Sequence, residues 1–179
     1  MKALKEIFLL VVLAVVIVVP IRVFIAQPFV VEGLSMYPTF KDGDYLVIDE
    51  VTYRFSEPSR GDVIVFRYPN NPSIFYIKRV IALPGESVRI EEGIVSITRA
   101  DGTTLTLDEP YVVAEDATYA INTTLGSEQY FVLGDNRPKS SDSRVWGALP
   151  KEDIIGRAFV RLFPVANAAV LPGVAEFSQ

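Results

Sequence analysis

The sequence predicts a mainly β domain of antiparallel strands, preceded by one apolar segment at its amino end. Beyond residue 28, short runs of β-branched and aromatic residues recur about every ten residues, which is typical of sheet-rich domains. Turn residues separate these runs, and Asp101-Gly102 is a strong hairpin signal. Only residues 151–158 suit a short helical turn, so a parallel α/β fold is not expected.

Six runs define the predicted strands, and the boundaries between segments follow from changes in composition. The strands are expected within the runs 44–51, 62–68, 74–83, 87–98, 130–134 and 158–163, with a break at 91–93 inside the fourth run. We divide the chain into a start at 1–6, an apolar segment at 7–26 and a body at 27–179. Within the body, residues 86–128 carry nine acidic residues and two arginines, and are predicted to form a hairpin-rich excursion with solvated charges.

The apolar segment 7–26 has one charge, Arg22, and its 20 residues match the ~20 needed to span a bilayer. We therefore predict a single transmembrane anchor in the plasma membrane. Lys2 and Lys5 precede it, which favours a cytoplasmic amino terminus and an extracytoplasmic body. A cleaved secretory signal is an alternative, although Phe24 is bulky for the −3 position, and a buried core helix is another.

Composition excludes several kinds of active site. The chain of 179 residues contains no His and no Cys, which excludes a Ser-His-Asp triad, a cysteine nucleophile and zinc or iron–sulfur sites with those ligands. Proton transfer would depend on Lys, Asp, Glu or Tyr. The formal net charge of −5 argues against nucleic acid as a partner. No metal or other cofactor is expected, because the carboxylates show no recognisable ligand spacing.

Three polar segments are candidates for chemistry. In the first, Ser35 lies between Gly33 and Pro38, where a tight turn can expose its hydroxyl, although most such segments are ordinary loops. In the second, Lys78 and Arg79 interrupt an apolar strand, and alternation directs one of them toward the core. A buried Lys becomes neutral near neutral pH, whereas one on an edge strand would extend its amine to solvent.

The third segment, residues 134–147, is unusually polar for a turn. Asp142 and Arg144 are close enough in sequence to form a bidentate ion pair that fixes the loop. Such a pair is also common in purely structural loops.

Together these segments resemble the type I signal peptidase family, over nearly the whole chain. The family's nucleophile motif is present as Ser-Met-Tyr-Pro-Thr at 35–39 and its Arg-Gly-Asp motif at 60–62. Its Lys-Arg strand appears at 76–79, followed by Leu-Pro-Gly-Glu at 83–86. Its Gly-Asp-Asn box appears at 134–144 and continues to Trp146-Gly147.

The resemblance implies a membrane-bound serine endopeptidase that removes signal peptides from exported pre-proteins, with a coiled antiparallel sheet and an apolar face on the lipid bilayer. It implies Ser35 as nucleophile, Lys78 as general base, and Ser140 as the hydroxyl that orients the lysine amine. Asp142 and Arg144 would brace the site. Pockets selecting small residues at −1 and −3 would be lined by Phe29, Val31, Met36, Val65, Tyr76 and Ile77. The membrane-seating residues would be Phe24, Phe29, Val30 and Phe40.

Gly33 departs from those family members that carry a hydroxyl donor to the oxyanion at this position. We expect Gly33→Ser to be tolerated with a small gain in rate, unless the glycine has a positive φ. Two other functions remain open: a Ser/Lys processing protease dedicated to few substrates, and a catalytically inactive membrane-anchored β domain.

Overall fold

A computed structural model describes residues 2–20, 26–113, 117–175 and 177. Arg22 and Phe24, which the sequence assigned to the membrane, lie outside the described residues. The helices are α1 (Lys2–Pro20) and α2 (Ser143–Trp146), and the strands are β1 (Ala26–Val30), β2 (Tyr45–Asp49), β3 (Val63–Tyr68), β4 (Asn71–Ala82), β5 (Ser87–Glu91), β6 (Ile94–Thr98), β7 (Thr104–Thr106), β8 (Ile121–Thr124), β9 (Gln129–Leu133), β10 (Leu149–Pro150), β11 (Ile154–Phe163) and β12 (Ala169–Val170).

The larger sheet contains eight strands in the order β1-β2-β11-β3-β4-β9-β10, with β12 paired to β11. Each of its pairs is antiparallel, as the sequence predicted. β4 lies inside this sheet, since β3 pairs with it from Asn71 to Arg79 and β9 pairs with it from Arg79 to Ala82. Between Asn71 and Lys78 its second edge has no strand partner among the described residues.

The smaller sheet has four strands in the order β7-β6-β5-β8 and lies within the predicted excursion 86–128. The run 87–98 is two strands, because Glu92 and Gly93 have φ values of 50° and 82° and reverse the chain. The predicted hairpin at Asp101-Gly102 is confirmed, since β6 and β7 pair across it and Arg99 N–H donates to Thr103 O at 2.8 Å.

Three clusters of buried side chains form the core, because β3, β4 and β9 bury consecutive residues and so contribute side chains on both faces of the larger sheet. One cluster joins the two sheets through residues such as Ile81, Val88 and Phe131. A second packs Val31, Met36 and Phe40 beneath the loop that follows β1. The third lies on the other side of the larger sheet, around Phe66 and Tyr130.

The helices are few, and they differ from the expectation in detail. α1 overlaps the predicted anchor from residue 7 to residue 20, and its described side chains from Leu4 to Val16 are exposed. Within the part of the chain that the structure describes, no helix has the length and apolarity needed to cross a membrane. The helical turn expected at 151–158 is a 3₁₀ turn at Lys151–Asp153, and the residues after it belong to β11.

Candidate active site

Ser35 lies in the loop between β1 and β2, which we call the nucleophile loop (residues 31–44). The base of this loop is closed by two hydrogen bonds of 2.9 Å, from Val31 N–H to Asp44 O and from Gly43 N–H to Val31 O. Met36, only 1% exposed, anchors the loop in the core beneath it. This packing leaves Ser35 half-buried at the protein surface while the backbone on either side is fixed.

Lys78 Nζ lies 2.7 Å from Ser35 Oγ, a hydrogen-bonding distance, and 2.8 Å from Ile77 O. Lys78 is opposite Ile64 of β3 and is only 3% exposed. Burial lowers the pKa of Lys78 from 10.5 to about 8, while the carboxylates of Asp142 and Asp135 act in the opposite direction. The amine next to Ser35 is therefore neutral in a substantial fraction of molecules at mildly alkaline pH.

Two expectations for this strand are wrong. Lys78 does not extend to solvent, because its side chain is buried and its amine lies against Ser35 Oγ and Ile77 O. Both cations are buried rather than one, since Arg79 is 1% exposed on the opposite face. Asp135 neutralises Arg79 through two hydrogen bonds of 2.9 and 2.6 Å, which makes its burial possible.

Residues 134–144, which we call the brace loop, pack against the nucleophile loop. Asn136 N–H donates to Ser35 O at 3.0 Å and Thr39 Oγ1 donates to Asp135 Oδ2 at 2.5 Å. A Cβ at Gly134 would collide with Ser35 O and with the Ser140 side chain, so only glycine permits this approach.

Asp142 and Arg144 form the predicted bidentate pair, with N–O distances of 2.8 and 2.9 Å. Asp142 also accepts from Gly134 N–H at 3.1 Å and from Arg144 N–H at 3.2 Å, where it caps α2. Both side chains are almost fully buried. The pair therefore holds the two ends of the brace loop together and places a negative charge near Lys78.

Ser140 differs from the expectation. Its Oγ is buried and has no hydrogen-bond partner among the described residues, so the hydrogen bond expected from this hydroxyl to the Lys78 amine is not formed. The hydroxyl is nevertheless close to Gly134 and thus to the nucleophile loop.

A cleft of about 550 Å³ opens at Ser35 and Lys78, between β1 and the first half of β4. Of the six predicted pocket residues, Phe29, Val31, Val65, Tyr76 and Ile77 line it. Met36 does not, because it lies in the core below the cleft. Gly33, which the sequence analysis placed beside the nucleophile, also lines the cleft. The sequence did not assign the other lining residues to the pocket, and these are Val30, Glu32, Leu34, Leu46, Ser73, Ile74, Phe75, Lys139 and Ser141.

The backbone at Ser35 has one donor that makes no hydrogen bond within the described residues. The Ser35 N–H has no acceptor among the described residues, and it is the donor that an oxyanion formed at Ser35 would need. Gly33 has φ = +89°, and its N–H donates to Asp42 Oδ1 at 2.7 Å. No atom lies within 4 Å of a Cβ built there, so the glycine is required for backbone conformation rather than for space.

Two other expectations need correction. Phe40 is fully buried in the core and has no part in a surface that contacts lipid. Glu86 and Glu109 of the excursion 86–128 are buried and paired with arginines, whereas the sequence analysis placed the charges of this segment in solvent. Nothing in the local sequence distinguishes these two glutamates from their exposed neighbours.

The model of the family "Signal peptidase, peptidase S26" matches residues 4–163 of the chain. This protein belongs to that family. It is 38% identical over 168 residues to the probable signal peptidase I-2 of Synechocystis sp., which covers 91% of this chain and 75% of the relative. It is 39% identical over 160 residues to the signal peptidase I of Leptolyngbya laminosa, which covers 86% of this chain and 76% of the relative.

A crystal structure of a signal peptidase I from Enterococcus faecalis also matches, with a TM-score of 0.48 and 30% sequence identity. The match covers 57% of this chain and 97% of that one. Membership of the family makes this protein a serine peptidase of the signal peptidase I type. Among the described residues, no group of three or more Asp or Glu side chains is arranged to hold a metal ion.

Proposed function

We propose that this protein is a membrane-bound Ser/Lys endopeptidase that removes signal peptides from exported pre-proteins. The observation that carries the proposal is the 2.7 Å distance between Ser35 Oγ and a buried Lys78 Nζ at the end of an apolar cleft. A Ser hydroxyl is a weak nucleophile and needs an adjacent base, and without any His a neutral Lys meets that need.

The reaction follows from this geometry in two stages. Neutral Lys78 Nζ accepts the Ser35 hydroxyl proton as Oγ attacks the scissile carbonyl, and the Ser35 N–H donates to the developing oxyanion. The ammonium then protonates the leaving amine, which leaves an ester on Ser35 and a neutral Lys78. A water molecule loses its proton to Lys78, attacks the ester and releases the new carboxyl terminus. Lys78 returns the proton to Ser35 Oγ.

The substrate would bind as an extended strand. The edge of β4 before Lys78 offers backbone donors and acceptors without a strand partner among the described residues, and an added strand would satisfy them. Side chains at alternate substrate positions would enter the cleft between Phe29, Val65 and Ile77. The preference for small residues at −1 and −3 rests on the resemblance to the family.

We also propose attachment to the plasma membrane through residues 7–26, with the amino terminus cytoplasmic and the catalytic domain extracytoplasmic. The proposal is supported by the 20-residue apolar run with one charge and by Lys2 and Lys5 before it. A second support is the exposed apolar surface at the end of β11 and beyond it, since such patches mark membrane or protein contacts. Its members are Leu162, Phe163, Val165 and Val170.

The decisive experiment incubates the purified full-length protein with a secreted precursor and sequences the new amino terminus of the product. We expect one cut directly after a small residue that follows another small residue two positions earlier, and no cut with Ser35→Ala. An uncut precursor, or a cut that survives Ser35→Ala, would refute the function. Recovery of the full chain in the aqueous phase after detergent phase separation would refute the membrane attachment.

A further inference from the structure

The connection between β7 and β8 places three side chains against the charged groups of the active site. Glu109 faces Arg137 of the brace loop, Tyr111 faces Arg79 of β4, and Tyr119 faces Arg144 of α2. The connection belongs to the smaller sheet, which supplies none of the residues lining the cleft. Among the described residues, its contacts with the charged groups of the site are made to these three arginines.

The contact between Glu109 and Arg137 is a buried ion pair. The N–O distance is 2.6 Å, and the two side chains are 7% and 3% exposed. Tyr111 Oη donates to the same carboxylate oxygen at 2.6 Å, while Arg137 Nε donates to Gly134 O at 3.1 Å. Glu109 thus holds an arginine that in turn holds the first residue of the brace loop.

The two tyrosine rings cover the other arginines. The guanidinium carbon of Arg79 lies 3.9 Å from the centre of the Tyr111 ring, and that of Arg144 lies 4.8 Å from the Tyr119 ring. Cation–π contacts of this kind become stronger when water is excluded. Arg79 and Arg144 are the arginines that bind Asp135 and Asp142, the two carboxylates whose charges act on Lys78.

Among the described residues, Glu109 is the third carboxylate of a buried cluster of charged side chains. Its members are three buried arginines and three carboxylates: Arg79, Arg137 and Arg144 with Asp135, Asp142 and Glu109. Two of the carboxylates come from the brace loop itself. The third comes from the connection between β7 and β8, so removing it takes away the carboxylate that binds Arg137 and leaves this buried guanidinium without its ion-pair partner.

We propose that Glu109, Tyr111 and Tyr119 are positioning residues for peptide cleavage, which hold the brace loop against Ser35 and Lys78 by clamping Arg137, Arg79 and Arg144. The inference rests on the proposed Ser/Lys mechanism, and it gives the smaller sheet a part in catalysis. None of the three side chains needs to touch the substrate.

The charge of Glu109 should be measurable at Lys78. The charged groups around Lys78 are Asp135 and Asp142 of the brace loop, Arg79 beside it on β4, Arg144 on α2, and Glu32 and Lys139 of the cleft. Glu109→Gln changes none of them but frees the Arg137 charge to act on the same cluster. Added positive charge disfavours the protonated amine, so the pKa of Lys78 should fall.

The test compares Glu109→Gln with Glu86→Gln. Glu86 forms an ion pair of the same 2.6 Å length with Arg60, both 10% exposed, which does not involve the brace loop. We expect Glu109→Gln to lower kcat about tenfold with KM unchanged, a size seen for residues that act through a contact network. In the pH profile of cleavage by Glu109→Gln, the midpoint of the acidic limb should move down by about half a pH unit. Glu86→Gln should change neither kcat nor this midpoint.

Two further measurements keep the inference testable. Nuclear magnetic resonance titration of ¹³Cε-labelled lysine, assigned with Lys78→Met, follows Lys78 without any substrate. If Lys78 of the wild-type protein titrates near pH 8 but the protein cleaves no precursor, the proposed function is refuted while the inference about Glu109 can still be tested on the Lys78 pKa. If Glu109→Gln unfolds, the double variant Glu109→Gln/Arg137→Met removes both charges, and we expect it to fold with the wild-type Lys78 midpoint and a reduced kcat.

The inference is overturned by a folded Glu109→Gln with wild-type kcat and an unmoved Lys78 midpoint. Equal losses in Glu109→Gln and Glu86→Gln would also overturn it, because the effect would then be general destabilisation. The ring contact between Tyr119 and Arg144 is tested separately. Tyr119→Leu should lower kcat at temperatures far below its Tm, whereas Tyr119→Phe, which keeps the ring, should have the kcat of the wild type. Equal activity of these two variants would remove Tyr119 from the proposal.

Discussion

Lys78 Nζ and Ser35 Oγ are 2.7 Å apart although 43 positions separate the two residues in the chain. Each is held by a different element. Lys78 belongs to β4 of the larger sheet, and Ser35 belongs to the nucleophile loop, where Ser35 O accepts a hydrogen bond of 3.0 Å from Asn136 N–H. The side chains meet because the sheet and the brace loop fix both backbones. Loss of either group should therefore abolish the chemistry while the fold is retained.

Ser35→Ala and Lys78→Ala should each lower kcat at least about 10³-fold, since single losses from a nucleophile–base pair cost about as much as losing the pair. Lys78→Arg should be equally inactive, because a guanidinium stays protonated and cannot accept the serine proton. The measurement is cleavage of a precursor peptide, with Lys151→Ala as a surface control. Residual activity within tenfold of the wild type, in preparations free of other proteases, would contradict the mechanism.

Activity should rise with pH through an acidic limb centred near the Lys78 pKa of about 8. The neutral amine is the active form, so kcat/KM should level off above this value and fall about tenfold per pH unit below it. The measurement is kcat/KM between pH 6 and about 10. A profile that is flat over this range would mean that the proton acceptor is another group.

Removing the buried amine should stabilise the fold at neutral pH. The folded-state pKa is depressed from 10.5 to about 8. The unfolded chain therefore binds the extra proton between these values, and wild-type stability rises with pH across the same window. Below this pH window, Lys78 is protonated in both states and the folded protein carries the full cost of a buried charge. Lys78→Met should therefore raise the free energy of unfolding at pH 7 by up to about 3 kcal/mol. Denaturant titrations at several pH values should show the gain shrinking toward pH 10.5, and a gain independent of pH would contradict the burial argument.

Gly33→Ser should lose about 1 kcal/mol of stability and some kcat, because a side chain at φ = +89° is strained. This reverses the small gain in rate expected from the sequence. Gly43→Ser is the matched control, since Gly43 has φ = +84° in the same loop and equally open space. We expect Gly43→Ser to lose similar stability with kcat retained, and a higher kcat for Gly33→Ser would show that an oxyanion donor position is vacant.

Ser140→Ala should slow cleavage without lowering stability. The Ser140 hydroxyl is buried with no hydrogen-bond partner among the described residues, so its removal relieves a desolvation cost in the resting protein. If the hydroxyl binds the Lys78 amine during the reaction, its loss should cost about 1–3 kcal/mol of transition-state stabilisation. The measurements are cleavage kinetics and thermal unfolding. A wild-type rate would mean that Ser140 only fills space in the fold. A lower Tm would show that the Ser140 hydroxyl makes a hydrogen bond in the resting protein, contrary to this structure.

Local patterns in the sequence identified much of the fold. Alternating apolar runs and turn residues gave the position of the main strands, and Asp101-Gly102 gave a hairpin, because these signals act over a few neighbouring residues. The run 87–98 divides into β5 and β6 at the predicted break, where Glu92 and Gly93 both have a positive φ. β8 was missed since INTT carries little apolar character.

The site was predictable where motif residues act directly and unpredictable where partners are distant in sequence. Ser35 and Lys78 were identified through the family motifs, and the structure places them in contact. The burial of Arg79 depends on Asp135, 56 positions away, which alternation along one strand cannot reveal. Glu109 was assigned to solvent for the same reason, because only the folded chain brings it to Arg137.

The long sequence separations within the site have a consequence for the timing of activity during biosynthesis. Thr39 meets Asp135 across 96 positions, and Arg161 donates to Thr39 O across 122, so the nucleophile loop is fixed by residues near the end of the chain. Contacts of this range form late and slowly in folding, since large loops must close first. A chain still emerging from the ribosome lacks β11, and with it the support for Ser35. Proteolytic competence should therefore appear only once β11 has been synthesised and has paired within the larger sheet.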